Sequence, residues 1–155
     1  MERPKRKNPR LKDFDYSTPG AYFITICTKN MKHYLGTIVG GDAYIAPQMH
    51  LSSIGKIVDK YINNIPGIHK YIIMPNHIHM IIIIENRAMR ASPPTQSISS
   101  RIRSFKTMVT REIGIPIFQR SFHDHIIRSE RDYRKIWEYI DTNVIRWQND
   151  CFYSE

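Results

Sequence analysis

Cysteine is nearly absent from this chain, acidic residues are outnumbered, and no apolar run is long enough to cross a bilayer. Each shortage excludes something. With only Cys27 and Cys151, one inside an apolar run and one near the terminus, neither a disulfide framework nor a Cys-ligated zinc site can be drawn. A transmembrane helix needs roughly 20 apolar residues, and every apolar stretch here is much shorter. The N-terminus is polar and charged, without the apolar centre of a signal peptide. The expectation is a cytoplasmic, nucleoid-associated protein with no membrane partner. The deficit of acid, 14 Asp+Glu against 23 Lys+Arg, leaves a net charge of +9. Such a charge attracts polyanions before contact, which makes nucleic acid the leading partner class. Much of it lies in two stretches. One is Arg3, Lys5, Arg6, Lys7, Arg10 and Lys12; the other runs from Arg101, Arg103, Lys106 and Arg111 through Arg120 and Arg128 to Arg131, Arg134 and Lys135. Each arginine is equally explained as part of a solvated face.

At 155 residues and 41% hydrophobic composition, the chain suits one domain with a sizeable core. Residues 1–20 are basic and aperiodic and read as an arm, 21–150 as the domain, and 151–155 as a tail. Ala21 to Thr28 has the β-branched, aromatic character of a strand. Two β-like runs around Gly40-Gly41 read as a hairpin. Ser52 or Ser53 caps a helix whose stripe is Ile54, Ile57, Val58, Tyr61 and Ile62. Strands at Tyr71–Met74 and His77–Ile84 flank a turn at Pro75. Asn86 to Gln96 is a polar, Pro-containing loop. Ser97 caps a helix with Ile98, Ile102, Phe105, Met108 and Val109 inward and Arg101, Lys106 and Arg111 outward. Phe122 to Ile127 is a short strand, and Ser129 with Asp132 begins a last helix running through Tyr133, Ile136, Trp137, Ile140 and Val144 to Trp147. Without the hairpin and the last helix this is βαββαβ, an α+β ferredoxin-like sandwich with an antiparallel sheet, helices on one face and the other face free.

The chemistry concentrates at His77-Ile78-His79. Alternation along a strand puts both imidazoles on one face, a two-point grip for a divalent cation. On the last helix, Tyr139 and Asn143 are four apart and share a side, so a phenol stands one turn from an amide. Asn143 is a candidate third ligand and Tyr139 a candidate nucleophile toward phosphorus. Beside this stands the ordinary reading: hydrogen-bonded surface histidines, a boundary tyrosine and a solvated amide.

These motifs in this order, with Tyr16–Asn30 (YSTPGAYFITICTKN), Phe122–Tyr133 (FHDHIIRSERDY) and Tyr139–Asn143 (YIDTN), resemble HUH single-tyrosine transposases, closest to the REP-associated tyrosine transposases. The resemblance spans about Tyr16 to Asp150. It implies a ferredoxin-like, metal-dependent nuclease and strand transferase acting on single-stranded DNA at the foot of a hairpin, as a monomer or homodimer. It places Mg²⁺ or Mn²⁺ on His77, His79 and Asn143, and a 5′-phosphotyrosine on Tyr139. The basic charge of the arm and of the Ile98–Arg111 helix gives Arg3, Lys5, Arg6, Lys7, Arg10, Arg101, Arg103, Lys106 and Arg111 as candidate DNA contacts, and the resemblance of the FHDHIIR segment adds Arg128, with His125 and Asp124 in support. Val144 stands where the family commonly has proline, so the last helix is expected to run past the site, with Gln148 or Asp124 as alternative oxygen ligands. Two other readings remain. A ferredoxin-like module can bind DNA or RNA without cutting it. A different His-x-His hydrolase is the other, although Ile81 occupies the place a third alternating histidine would need.

Overall fold

A computed structural model describes residues 11, 14–86 and 96–154. The order is β1 (Gly20–Cys27), β2 (Gly36–Val39), β3 (Gln48–Leu51), α1 (Ser53–Ile62), β4 (Ile68–Ile73), β5 (His77–Ile84), α2 (Ile98–Ile113), β6 (His123–Ile127) and α3 (Glu130–Asp141). Four strands form one antiparallel sheet in the order β4-β5-β1-β6, while β2 and β3 pair separately as the inserted hairpin. With that insert and α3 set aside, the core is the expected ferredoxin-like βαββαβ sandwich.

Period-two alternation divides the central strands between two cores. Ile24, Ile26, Ile78, Met80 and Ile82 face α1 and α2, meeting Val58, Ile62, Ile102, Phe105 and Val109 in the main core. Ser52 and Ser97 cap these two helices, each side chain accepting from a backbone N–H three residues on. The second face was expected to be free, but α3 lies over part of it. Ile81 there is fully buried beneath Ile136 and Ile140, with Phe23, Ile72, Ile83, Ile127, Tyr133 and Trp137 around them. So many apolar groups on one face need a cover, and each buried isoleucine contributes about 1.5–3 kcal/mol.

Three local expectations are corrected. Arg101 is only 8% exposed, and its guanidinium donates to the Pro66 and Gln96 carbonyls at 2.6 and 3.0 Å. It ties α2 to the turn before β4 rather than facing a ligand. Met108, expected inside, is 41% exposed, because the Ile98, Ile102, Phe105 and Val109 rows already fill the contact with the sheet. The last helix stops at Asp141 instead of continuing to Trp147. There the Thr142 hydroxyl donates back to the Glu138 carbonyl, Asn143 N–H turns to the Ile140 carbonyl three residues away, and two β-branched residues follow.

Part of the segment read as an arm, residues 14–20, is packed on the domain. The Phe14 and Tyr16 rings pack on Tyr22 and the main core, and the Tyr16 carbonyl accepts from Ile98 N–H at α2. Arg3, Lys5, Arg6, Lys7, Arg10 and Lys12, and nearly all of the polar loop, lie outside the described residues. Among the described residues, no helix is long and apolar enough to cross a membrane.

Arg101→Ala is expected to lower stability by about 1.5–3 kcal/mol in urea unfolding, the scale of hydrogen bonds made by a charged group, here one that is itself buried. Arg103→Ala, exposed on the same helix, is expected to change it by less than about 0.5 kcal/mol. Equal effects would remove the structural role assigned to Arg101.

Candidate active site

The site begins at a turn. Met74 N–H donates to the His77 carbonyl at 2.8 Å, closing the link through Pro75, so β5 starts at His77 itself. Alternation then sends His77 and His79 to the face that carries α3, beside Cys27 and Thr25 of the neighbouring strand. Both imidazoles are buried, at 0% and 1% exposure, with ring centroids 4.6 Å apart. Each has its Nδ1 engaged, His77 with Asn76 Oδ1 and His79 with Thr25 Oγ1, both at 2.8 Å. An amide oxygen can only accept, so His77 carries its proton on Nδ1 and presents Nε2 as a bare lone pair. The Thr25 hydroxyl can donate or accept, and in the tautomer where it accepts, His79 presents Nε2 in the same way. Neither Nε2 has a hydrogen-bond partner.

The short end of α3 completes the cluster. Asn143, 1% exposed, donates from Nδ2 to Asp150 Oδ2 at 3.1 Å, and its Oδ1 has no partner. Asp150 Oδ2 stands 3.8 Å from His77 Nε2, and His77, His79 and Asp150 offer ligand atoms all within 4.8 Å of one another. His77 Nε2, His79 Nε2 and Asn143 Oδ1 thus converge as acceptors to which no described residue donates, an arrangement that costs free energy when buried unless a cation lies between them. Two imidazole nitrogens, a carboxylate and an amide oxygen suit a divalent metal, and Asn76 and Thr25 are the outer groups that orient the imidazoles. Burial pushes His77 down to about 4, with the Asp150 charge and the Asn143 amide pulling the other way. Burial, and then His77 itself, push His79 well below its ordinary value. Both rings are therefore neutral at pH 7, as ligation requires.

Tyr139 lies beside this cluster. Its ring meets His79 edge-on at 5.1 Å and Phe23 at 6.2 Å, which hold the half-buried phenol against the sheet. Burial and then the charge of Asp150 raise its pKa, while the Asn143 amide lowers it. The phenol remains protonated at neutral pH unless positive charge is added nearby.

Of the residues read from the sequence, His77, His79, Asn143 and Tyr139 are brought together. Asp124 is not: it pairs with Ile24 and so points to the α1/α2 face, away from the histidines, which removes it as a ligand. Gln148 is exposed and outside the cluster. His125, exposed on the site face of β6, bonds Asp132 Oδ2 at 2.7 Å and fastens that strand to the first turn of α3. Arg103, Lys106 and Arg111 line a groove of about 570 Å³ with Arg120, Thr107 and Thr110, beside the start of β6. Arg128 is exposed just past the end of that strand. Three contributors were missed. Asp150 follows two turns that no helical spacing could count through. Asn76 reads only as a turn residue next to Pro75. Phe152, in the supposed tail, sits 4.6 Å from the His77 ring, and its carbonyl accepts from Asn76 Nδ2 at 2.8 Å.

An uncharacterised protein of Haemophilus influenzae is 37% identical, over 97% of this chain and 94% of that protein. Among solved structures, a REP-associated tyrosine transposase bound to a REP hairpin is similar at a TM-score of 0.60 and 21% identity, over 88% of this chain and 73% of that one. No protein-family model matches the chain.

Two outcomes follow from neutral, oriented imidazoles. The unfolded chain takes up protons near pH 6.5, whereas folded His77 resists until about 4, so unfolding is favoured as acid is added. Stability in the metal-free protein is expected to be complete above about pH 6.5 and to fall as pH drops toward 4. A flat urea-unfolding profile across that window would mean solvated imidazoles. Separately, Thr25→Val removes the hydroxyl from His79 Nδ1 and is expected to weaken Mn²⁺ binding about 10- to 100-fold by titration calorimetry. Unchanged affinity would show that the hydroxyl does not orient that ring.

Proposed function

The chain belongs to one family with the Haemophilus influenzae protein and has the fold of a REP-associated tyrosine transposase. From that premise and the site's geometry we propose that it is a transposase: a metal-dependent endonuclease and strand transferase for single-stranded DNA, cutting at hairpin-flanked sites through a 5′-phosphotyrosine on Tyr139. The observation that carries this reading is the phenol of Tyr139 against a buried cluster of ligand atoms, three of which accept no hydrogen bond from any described residue. His77, His79, Asn143 and Asp150 would hold Mg²⁺ or Mn²⁺. When bound, that ion would supply positive charge to polarise a phosphodiester and ease deprotonation of the phenol.

The protein's own groups account for the rest. Phe23 and His79 fix the Tyr139 ring, so little rotamer freedom is lost as the phenol meets phosphorus. The phenolic oxygen forms the new bond to phosphorus, the bond to the 3′ oxygen breaks, and that oxygen leaves as a 3′-OH carrying the proton. The ester is conserved, so the same or another 3′-OH can reverse the step and join strands. The Asn143 amide lowers the phenol's pKa, against the effect of burial. The groove of Arg103, Lys106, Arg111 and Arg120 suits a phosphate backbone, since clustered cations gain affinity by releasing counterions. Arg101 takes no part in it.

The test is incubation with a labelled hairpin oligonucleotide bearing single-stranded flanks, with Mg²⁺ or Mn²⁺, on a denaturing protein gel. A covalent band is expected that needs the metal and disappears in Tyr139→Phe. A band that survives in Tyr139→Phe would refute the nucleophile. Retarded complexes without any covalent band would favour a binding module.

A further inference from the structure

At the β4 edge of the sheet, apart from the His77–His79 cluster, three aromatic rings in mutual contact line a second, open cavity. Tyr133 and Trp137 project from α3 toward β4, where His69 closes the group. The centroids are 5.8 Å apart for Tyr133–Trp137, 6.0 Å for His69–Tyr133 and 5.7 Å for His69–Trp137. Arg134 completes the lining of a space of about 340 Å³, near the small end of the range for small-molecule sites. Its guanidinium is held only by Glu130 at 2.6 Å, a pair about three-quarters exposed at both ends, so little opposes its turning to another anion.

The backbone is shaped to make this arrangement. Ile68 pairs with Ile82 and Lys70 with Ile81, so β4 carries one extra residue, and that residue is His69. A bulge re-aims side chains at a sheet edge. Ile68 packs into the main core, while His69 and Lys70, consecutive in the strand, both reach Trp137, the Lys70 ammonium lying 3.9 Å from that ring's centroid. The turn into the bulge requires Gly67, at φ +79°, where a Cβ would stand 2.1 Å from the Ile83 carbonyl. Core packing explains the inner edge of Trp137. It does not explain an exposed histidine turned onto two half-buried rings with a cation at the rim.

We infer that the His69–Tyr133–Trp137 cage, with Arg134 at its rim, is a binding site for one unpaired nucleobase of the single-stranded DNA substrate. Flat aromatic walls favour a flat ring, and the rim cation suits the phosphate that accompanies each base. The surplus of positive charge favours a nucleic acid occupant over a cationic one. Because α3 also carries Tyr139, a base held in the cage fixes the strand relative to the nucleophile. The identity of the strand as substrate rests on the function proposed above; the cage as a base site does not.

The test measures affinity by fluorescence polarisation for the hairpin oligonucleotide, with an abasic residue placed at each flank position in turn. The proteins compared are the wild type, Trp137→Leu and, because Trp137 also packs on the core, the exposed His69→Ala. One flank position is expected whose missing base weakens wild-type binding about tenfold and costs neither variant anything further. No coupled position in either variant, with binding otherwise intact, overturns the cage. The Tyr139 adduct is scored on the same oligonucleotides. An adduct without coupling removes only the cage, coupling without an adduct removes only the chemistry, and failure to bind any oligonucleotide removes both.

Discussion

The burial of neutral, lone-pair-bearing groups without a donor is the constraint on which the rest depends. Among the described residues, His77 Nε2, His79 Nε2 and Asn143 Oδ1 have no hydrogen-bond partner, and they cluster on one face of the sheet. Such a cluster survives folding only because the scaffold around it is over-determined. The main core holds β1 and β5 rigidly from below, the Asn76 amide oxygen sets the His77 tautomer, and the Thr25 hydroxyl holds the His79 ring. Replacing either imidazole by an apolar side chain would ease folding. Its retention is intelligible if the free energy given up is recovered on binding a cation.

The same constraint orders the C-terminal segment. Past Asp141 the chain folds through consecutive turns, with Arg146 N–H on the Thr142 carbonyl and Trp147 N–H on the Val144 carbonyl, before a short 3₁₀ turn at Trp147–Asn149. This tightening returns Asp150 to Asn143, and Trp147 stacks on His77 at 6.0 Å. A straight helix rises 1.5 Å per residue and would have carried position 150 roughly 10 Å beyond Asn143. Early termination of α3 is therefore what allows a carboxylate to join the cluster. Ser154 extends the wrap by bonding His33 Nε2 at 2.8 Å.

Most of the fold was legible because its signals are local. The AYFITICT run, the Ser52 and Ser97 caps, the hairpin at Gly40-Gly41 and the alternation around Pro75 each act over a few residues. The pairing of His77 with His79 follows from period two alone. Arg101 was misread because a stripe count assigns arginine outward, and only the Pro66 carbonyl across the fold shows why it turns in. Asp124 failed for the opposite reason: the parity of β6 was readable, but which parity faces the histidines depends on its register with β1. Asp150 and Phe152 are set by turn geometry and long-range contact, for which composition carries no periodic signal. The bulge at His69 likewise arises from a mismatch between two strands, visible in neither alone.

The division of the sheet into two cores gives the site its mechanical character. The histidines stand on strands packed into the main core, whereas Tyr139 rides on a helix whose fully buried contacts are few: Ile136 and Ile140 against Ile81. What supplements them lies at the helix ends and edges: the Ser129 cap, the His125–Asp132 pair, and Lys70 with Asp141 at 2.6 Å. Elements held by small clusters and exposed polar pairs occupy the lower end of a protein's local stability. Two of the four candidate ligands, His77 and His79, thus stand on the rigid body, whereas Asn143 and Asp150 follow α3 and share the less firmly held segment with Tyr139. Under the proposed transfer, Tyr139 would accept a strand and later release it to an incoming 3′-OH, which suits a helix held by a small cluster. Lys70 joins the two bodies at the β4 edge, lying over Trp137 while paired to Asp141 near the end of the same helix. The contact that steadies α3 thus adjoins the aromatic group, so occupancy of the base site proposed there would bear on how Tyr139 is held.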